Sequence, residues 1–211
     1  MNNSRLLGAV SALLFAYTSC GIVNAALVQI DLVQGSGDGL LIRDTSNGFD
    51  WLRLTETKGL SVVDVIDNGI GGYADMGFGL ASKVQVEAMF ISGGIVQLST
   101  LFVEDNYLPA SNLLDLFGVL QTTGGGLPAT GGWVQAPGLP DLVVSGVVQT
   151  AACCPPAGRA YVADFGAVPK TSSSDSSGVF LLRPIPIPPA LWLFGSGLLG
   201  LMGISRRTRS A

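Results

Sequence analysis

Near its C-terminus the chain carries Pro184, Pro186, Pro188, Pro189 and Ala190, then an uncharged apolar stretch over 191–204, closed by Arg206, Arg207 and Arg209. A segment that is apolar on every side has no polar face to offer water, so it does not suit a surface helix of a small domain. A helix over 188–205 would extend about 27 Å at 1.5 Å per residue, close to a hydrocarbon core of roughly 30 Å. Prolines are tolerated at its start, where an N–H has no intrahelical partner anyway. The arginine cluster sets orientation, because basic residues flanking a span stay cytoplasmic. The tail 184–211 therefore predicts a single short transmembrane helix with everything before it exported. Ser196 and Gly200 in that span are spaced for the close approach of a second helix, or simply leave it loosely packed.

The other end agrees with export. Arg5 precedes an apolar run over 6–17, and Val23-Asn24-Ala25 places small or aliphatic residues before Ala26. That is the layout of a signal peptide over 1–25, cleaved between Ala25 and Ala26 by signal peptidase after passage through the Sec translocon. Thr18-Ser19-Cys20 also resembles the end of a lipobox, with Tyr17 where leucine is usual. Between the two signals, 26–183 forms one exported domain. It carries seven basic residues against all 15 acidic ones, a net of −8. Such a charge offers no footprint for nucleic acid and none for anionic lipid headgroups.

Histidine is absent from the chain. This removes Ser-His-Asp and Cys-His nucleophilic sets, histidine zinc sites and histidine bases. After signal cleavage two cysteines remain, Cys153 and Cys154, adjacent and followed by Pro155-Pro156. Outside the cytoplasm they are expected to be oxidised, either to each other in a small strained ring or between molecules. Paired carboxylates are the remaining route to hydrolysis. Asp44 and Asp50 flank a turn and Glu104 and Asp105 are adjacent, but their default role is to cap and solvate turns. Calcium needs oxygen ligands alone, yet Asp31, Asp38, Asp44 and Asp75 are too scattered to form a calcium loop. No metal ligand, catalytic residue or cofactor is assigned. The glycines at 124–126 lack the following lysine of a phosphate loop.

Hydrophobic periodicity organises the domain. Leu27, Val28, Ile30, Leu32 and Val33 predict a first strand. Residues 40–45 and 49–54 then predict a hairpin around Asn47-Gly48 as a type I′ turn, with Trp51 on its buried face. Ser61-Val62-Val63-Asp64 opens a short helix that ends near Asn68-Gly69. A clearer helix is capped by Ser82 with Gln85 at N3; Val84, Ala88 and Ile91, with Met89 and Phe90, are expected to form its apolar face until Gly93-Gly94. A third is expected over 111–120 with Leu113, Leu114, Leu116 and Phe117 inward. Strands follow at 132–135, 142–150, 160–165 and 179–183. The pattern predicts an α+β domain: a hairpin, two or three short helices and an antiparallel sheet.

The tail run from Ile185 through Pro186, Ile187, Pro188, Pro189 and Ala190 to Leu201, closed by the arginines, resembles the PEP-CTERM protein-sorting signal, in particular its Val-Pro-Leu-Pro-Ala variant. The glutamate that names the family is Ile187 here. The resemblance implies export in a Gram-negative bacterium, an inner-membrane intermediate, and recognition by an exosortase-type transpeptidase that removes the tail. Asp44-Thr45-Ser46-Asn47-Gly48-Phe49-Asp50-Trp51-Leu52 looks like the opening of PEP-CTERM passengers, and Tyr161-Val162-Ala163-Asp164-Phe165-Gly166 and Gly178-Val179-Phe180-Leu181-Leu182-Arg183 resemble their closing strands. The layout is also similar to bacterial C-type-lectin-like domains, with Phe78-Gly79-Leu80-Ala81-Ser82 at the helix start but without their Trp-Arg pair. Together these imply a non-enzymatic envelope or biofilm-matrix protein at the cell surface, associated with glycan or exopolysaccharide. The alternatives are a permanently anchored single-span surface protein and a secreted carboxylate-dependent glycan hydrolase.

Overall fold

A computed structural model describes residues 27–123, 125–151, 156–163 and 166–186. Strand β1 (Leu27–Ile30) pairs antiparallel with β2 (Leu41–Asp44), and β2 with β3 (Phe49–Leu52). The expected hairpin is present, but its turn differs. Asp44 pairs with Phe49, which leaves 45–48 as the loop, and Gly48 (φ 75°) alone there is left-handed. The Asp44 carboxylate accepts from the N–H groups of Ser46 and Asn47, both at 3.1 Å, and from Asn47 Nδ2 at 2.7 Å. With those donors satisfied, Asn47 need not take positive φ, and a type I′ turn is not formed.

Beyond β3, Ser61 and Asp64 bond reciprocally: Ser61 N–H donates to Asp64 Oδ2 at 2.9 Å and Asp64 N–H to Ser61 Oγ at 3.1 Å. The turn they open, Val63–Asp67, is π-helical, closed by Asn68 N–H on the Val63 carbonyl at 2.9 Å. After β4 (Gly79–Leu80), Ser82 and Gln85 form the expected capping box of helix α1 (Lys83–Ser92). Its buried face is Val86, Met89 and Phe90, the i, i+3, i+4 set. Val84 and Ile91 belong to the neighbouring stripe and are 72% and 59% exposed, against expectation. Helix α2 (Tyr107–Phe117) starts earlier than expected, since Pro109 is tolerated in a first turn, and stops at Gly118 (φ 87°). Leu113, Leu114 and Phe117 are buried and Leu116 is half-buried.

The second half supplies β5 (Gln121–Thr122), β6 (Pro128–Gln135), β7 (Leu142–Ala151), β8 (Ala157–Val162), β9 (Val168–Pro169), β10 (Gly178–Val179) and β11 (Leu181–Pro184). The strand expected over 179–183 is two strands in two sheets. β10 runs parallel to β6, in the order β10-β6-β7-β8, with β5 on β6 and β9 on β7. β11 lies between β3 and β4, in the order β1-β2-β3-β11-β4. Phe180 makes the crossing. Its N–H donates to the Trp133 carbonyl at 3.1 Å and its carbonyl accepts from Ala81 N–H at 2.9 Å.

The fold is thus mixed α and β, with two largely antiparallel sheets and few helices. One core gathers Trp51, Phe90, Phe117 and Phe180 with the two helices; the other, on the opposite face of the first sheet, holds Leu41, Leu52, Val65, Tyr73 and Phe78. Among the described residues no helix is long and apolar enough to cross a membrane. The expected span 188–205 lies outside them, as does the signal peptide 1–25.

Candidate functional site

Antiparallel register places Val28 opposite Arg43, Arg43 opposite Asp50, and Asp50 opposite Arg183. Directly paired residues share a face, so these side chains form one rung across four strands. The adjacent rung on that face, Ile30, Leu41, Leu52 and Leu181, belongs to the second core. The polar rung therefore stands where that core ends. Asp50 is fully buried. It accepts from Arg43 Nε at 2.7 Å and Arg43 Nη2 at 3.0 Å, a two-point clamp. This hydrogen bonding holds the Arg43 guanidinium above its ordinary pKa. Arg183 Nε is 3.8 Å from Asp50 Oδ2, too far for a hydrogen bond, and among the described residues it has no other hydrogen-bond partner although it is buried. Its guanidinium lies over the Phe78 ring, 4.7 Å from the centroid.

A groove of about 610 Å³ opens over this rung, lined by Arg43, Arg183, Gln29, Asp31, Gln34 and Gly35. Its far wall is the loop 31–39, held by two carboxylates. Asp38 accepts from the N–H groups of Leu32 (2.8 Å), Val33 (3.3 Å) and Leu40 (3.1 Å) and from Ser36 Oγ (2.6 Å). Asp31 accepts from Gly37 and Gly39 N–H, both at 3.1 Å, one on each oxygen. The Ser36 hydroxyl, then the Leu32 amide, lower the Asp38 pKa to about 2. A depressed carboxylate stabilises the loop above its ordinary pKa of 3.8, and that contribution is lost as pH falls through about 2. A carboxyl-carbon NMR titration is expected to give a midpoint near 2, moving up in Ser36→Ala; a midpoint at the ordinary value would contradict this loop geometry.

The carboxylates weighed from the sequence do not converge. Asp44 and Asp50 sit on successive rungs of one hairpin, so they face opposite sides of the sheet, each with its own partners. Glu104 and Asp105 are exposed in a 3₁₀ turn, and Asp75 is exposed in a loop. Among the described residues no three of His, Cys, Asp and Glu come together as a metal site. Pro186 is described and exposed. Ala25, Ala26, Cys153, Cys154, Ile187, Pro188, Pro189, Ala190, Arg206, Arg207 and Arg209 lie outside the described residues. No protein-family profile, curated protein or solved structure matches this chain.

Arg43 and Arg183 were not singled out by sequence reasoning. A signal did exist: Arg43 stands two residues from buried Leu41 and so on a core-facing position of an alternating strand. Arg159 is a useful contrast. Its Nε and Nη2 donate to Gln149 and its Nη1 to the Thr100 carbonyl at 3.0 Å, beneath Phe102 and Tyr161. That guanidinium is spent pinning a loop to β8. On Arg43 Nη1 and both Nη atoms of Arg183, no acceptor is found among the described residues.

Proposed function

We propose that this chain is an exported, non-enzymatic envelope or extracellular-matrix protein. It is carried by the Sec translocon, held in the inner membrane by 188–205, and transferred to the cell surface when an exosortase-type transpeptidase processes its tail. The observation that carries this reading is the position of Pro186. The last strand ends at Pro184, Ile185 N–H is bonded to the Gly48 carbonyl at 3.0 Å, and Pro186 is exposed immediately beyond. The first described residue of the proline-rich motif is thus exposed just past the end of β11, a position that a membrane-embedded enzyme can reach without unfolding the domain. The order of hairpin, two helices, antiparallel strands and a returning last strand supports a C-type-lectin-like architecture. An open groove lined by arginine and glutamine side chains supports association with a polar glycan.

The test is the intact mass of the protein recovered from the envelope and medium of its native host. Loss of 1–25 together with the residues after about Pro188 is expected. A membrane form that retains Arg206, Arg207 and Arg209 would replace this reading with permanent anchoring.

A further inference from the structure

The rung over the groove is electrically incomplete. Two guanidiniums face one carboxylate, and Asp50 spends both oxygens on Arg43 at hydrogen-bond distance. Among the described residues, the buried Nε of Arg183 donates to nothing and its two Nη groups find no acceptor, while the guanidinium lies over the Phe78 ring. The other carboxylate in the groove, Asp31, has both oxygens occupied by the Gly37 and Gly39 amides. Among the described residues it forms no ion pair with either arginine.

We propose that this groove binds the carboxylate of an acidic sugar residue, with Arg183 and the outer edge of Arg43 as its anchors. The inference rests on the glycan reading above and narrows it to uronate-bearing polysaccharide. Guanidinium edges recognise planar carboxylates through paired N–H donors, a geometry a neutral hydroxyl cannot match. The groove volume of about 610 Å³ exceeds what a lone small anion fills and falls in the range of organic-ligand sites. Gln34, exposed in the loop that lines the groove, supplies an amide group for ring hydroxyls.

The full-length chain in non-ionic detergent is titrated calorimetrically with oligogalacturonate and with a neutral galactan oligomer of the same length. Oligogalacturonate is expected to bind, about tenfold or more weaker in Arg183→Gln and weaker again as salt is raised. Gln34→Glu guards against a folding artefact, since Gln34 is exposed and makes no hydrogen bond among the described residues; it too is expected to weaken uronate binding while the unfolding temperature stays unchanged. Equal binding of the neutral oligomer, unaffected by either variant, would overturn the carboxylate inference and leave the glycan reading standing. No binding of either oligomer would overturn both. Binding of free acetate as tight as that of the oligomer would also overturn it, because the sugar would then not be read.

Discussion

Phe180→Ala is expected to destabilise the domain by about 3–5 kcal/mol, the range for removing a fully buried phenylalanine. Phe180 is 1% exposed and meets three aromatic rings edge-on: Phe117 at 5.9 Å, Phe90 at 6.2 Å and Trp51 at 6.4 Å. These rings come from α2, α1 and β3, so a single side chain ties both helices to the first sheet. Its backbone simultaneously bonds Trp133 of β6 and Ala81 beside β4. The void left by alanine cannot be filled by a small shift, because Gly132 and Gly146 also pack against this ring. A Cβ at Gly132 would stand 2.9 Å from Phe180 Cδ2, and one at Gly146 3.0 Å from Phe180 Cε2. Urea unfolding of the full chain in detergent, followed by tryptophan fluorescence, measures the loss. Val84→Ala, at an exposed apolar position, is the control and should stay within about 0.5 kcal/mol.

Phe180 also shows what the sequence leaves hidden. Gly178-Val179-Phe180-Leu181-Leu182-Arg183 reads as one strand, since nothing local separates a strand that stays in a sheet from one that changes sheets. The break is tertiary. A Cβ at Gly178 would stand 2.5 Å from the Leu54 carbonyl, and Val179 N–H is taken by Thr57 Oγ1 at 2.8 Å, residues more than a hundred positions upstream. Local signals were read correctly where both partners are near in sequence. Examples are the hairpin around Gly48, the capping box at Ser82 and Gln85, and the Ser61 and Asp64 pair. The apolar face of α1 was misplaced because Val84 and Ile91 are as hydrophobic as Val86 and Met89, and only the packing partners choose between the stripes. The groove was hidden for the same reason. Arg43 and Asp50 are hairpin neighbours and legible as a pair, but Arg183 joins them through the pairing of β3 with β11, which no sequence period announces.

Asp50→Ala is expected to cost about 3 kcal/mol or more, the scale for removing one partner of a buried ion pair. Asp50 has no exposed surface, whereas Arg43 and Arg183 keep 35% and 22% of their side-chain surface in water. The guanidiniums can therefore rehydrate in part, which places the loss toward the lower end of that range. What remains is two cations on β2 and β11, on either side of β3 in one rung, with no anion between them. Combining Asp50→Leu with Arg43→Leu should recover much of the loss, because an apolar pair of similar volume needs no counter-charge. The rung also links stability to ligand. If the groove takes a carboxylate, Asp50→Ala leaves two unopposed guanidiniums to receive it, and mass action stabilises whichever state binds. Oligogalacturonate should then raise the unfolding temperature of Asp50→Ala more than that of the unaltered protein, and the neutral oligomer should raise neither by a comparable amount. Equal shifts with both oligomers would show that Asp50 serves the sheet alone and that the arginines beside it recognise nothing outside the fold.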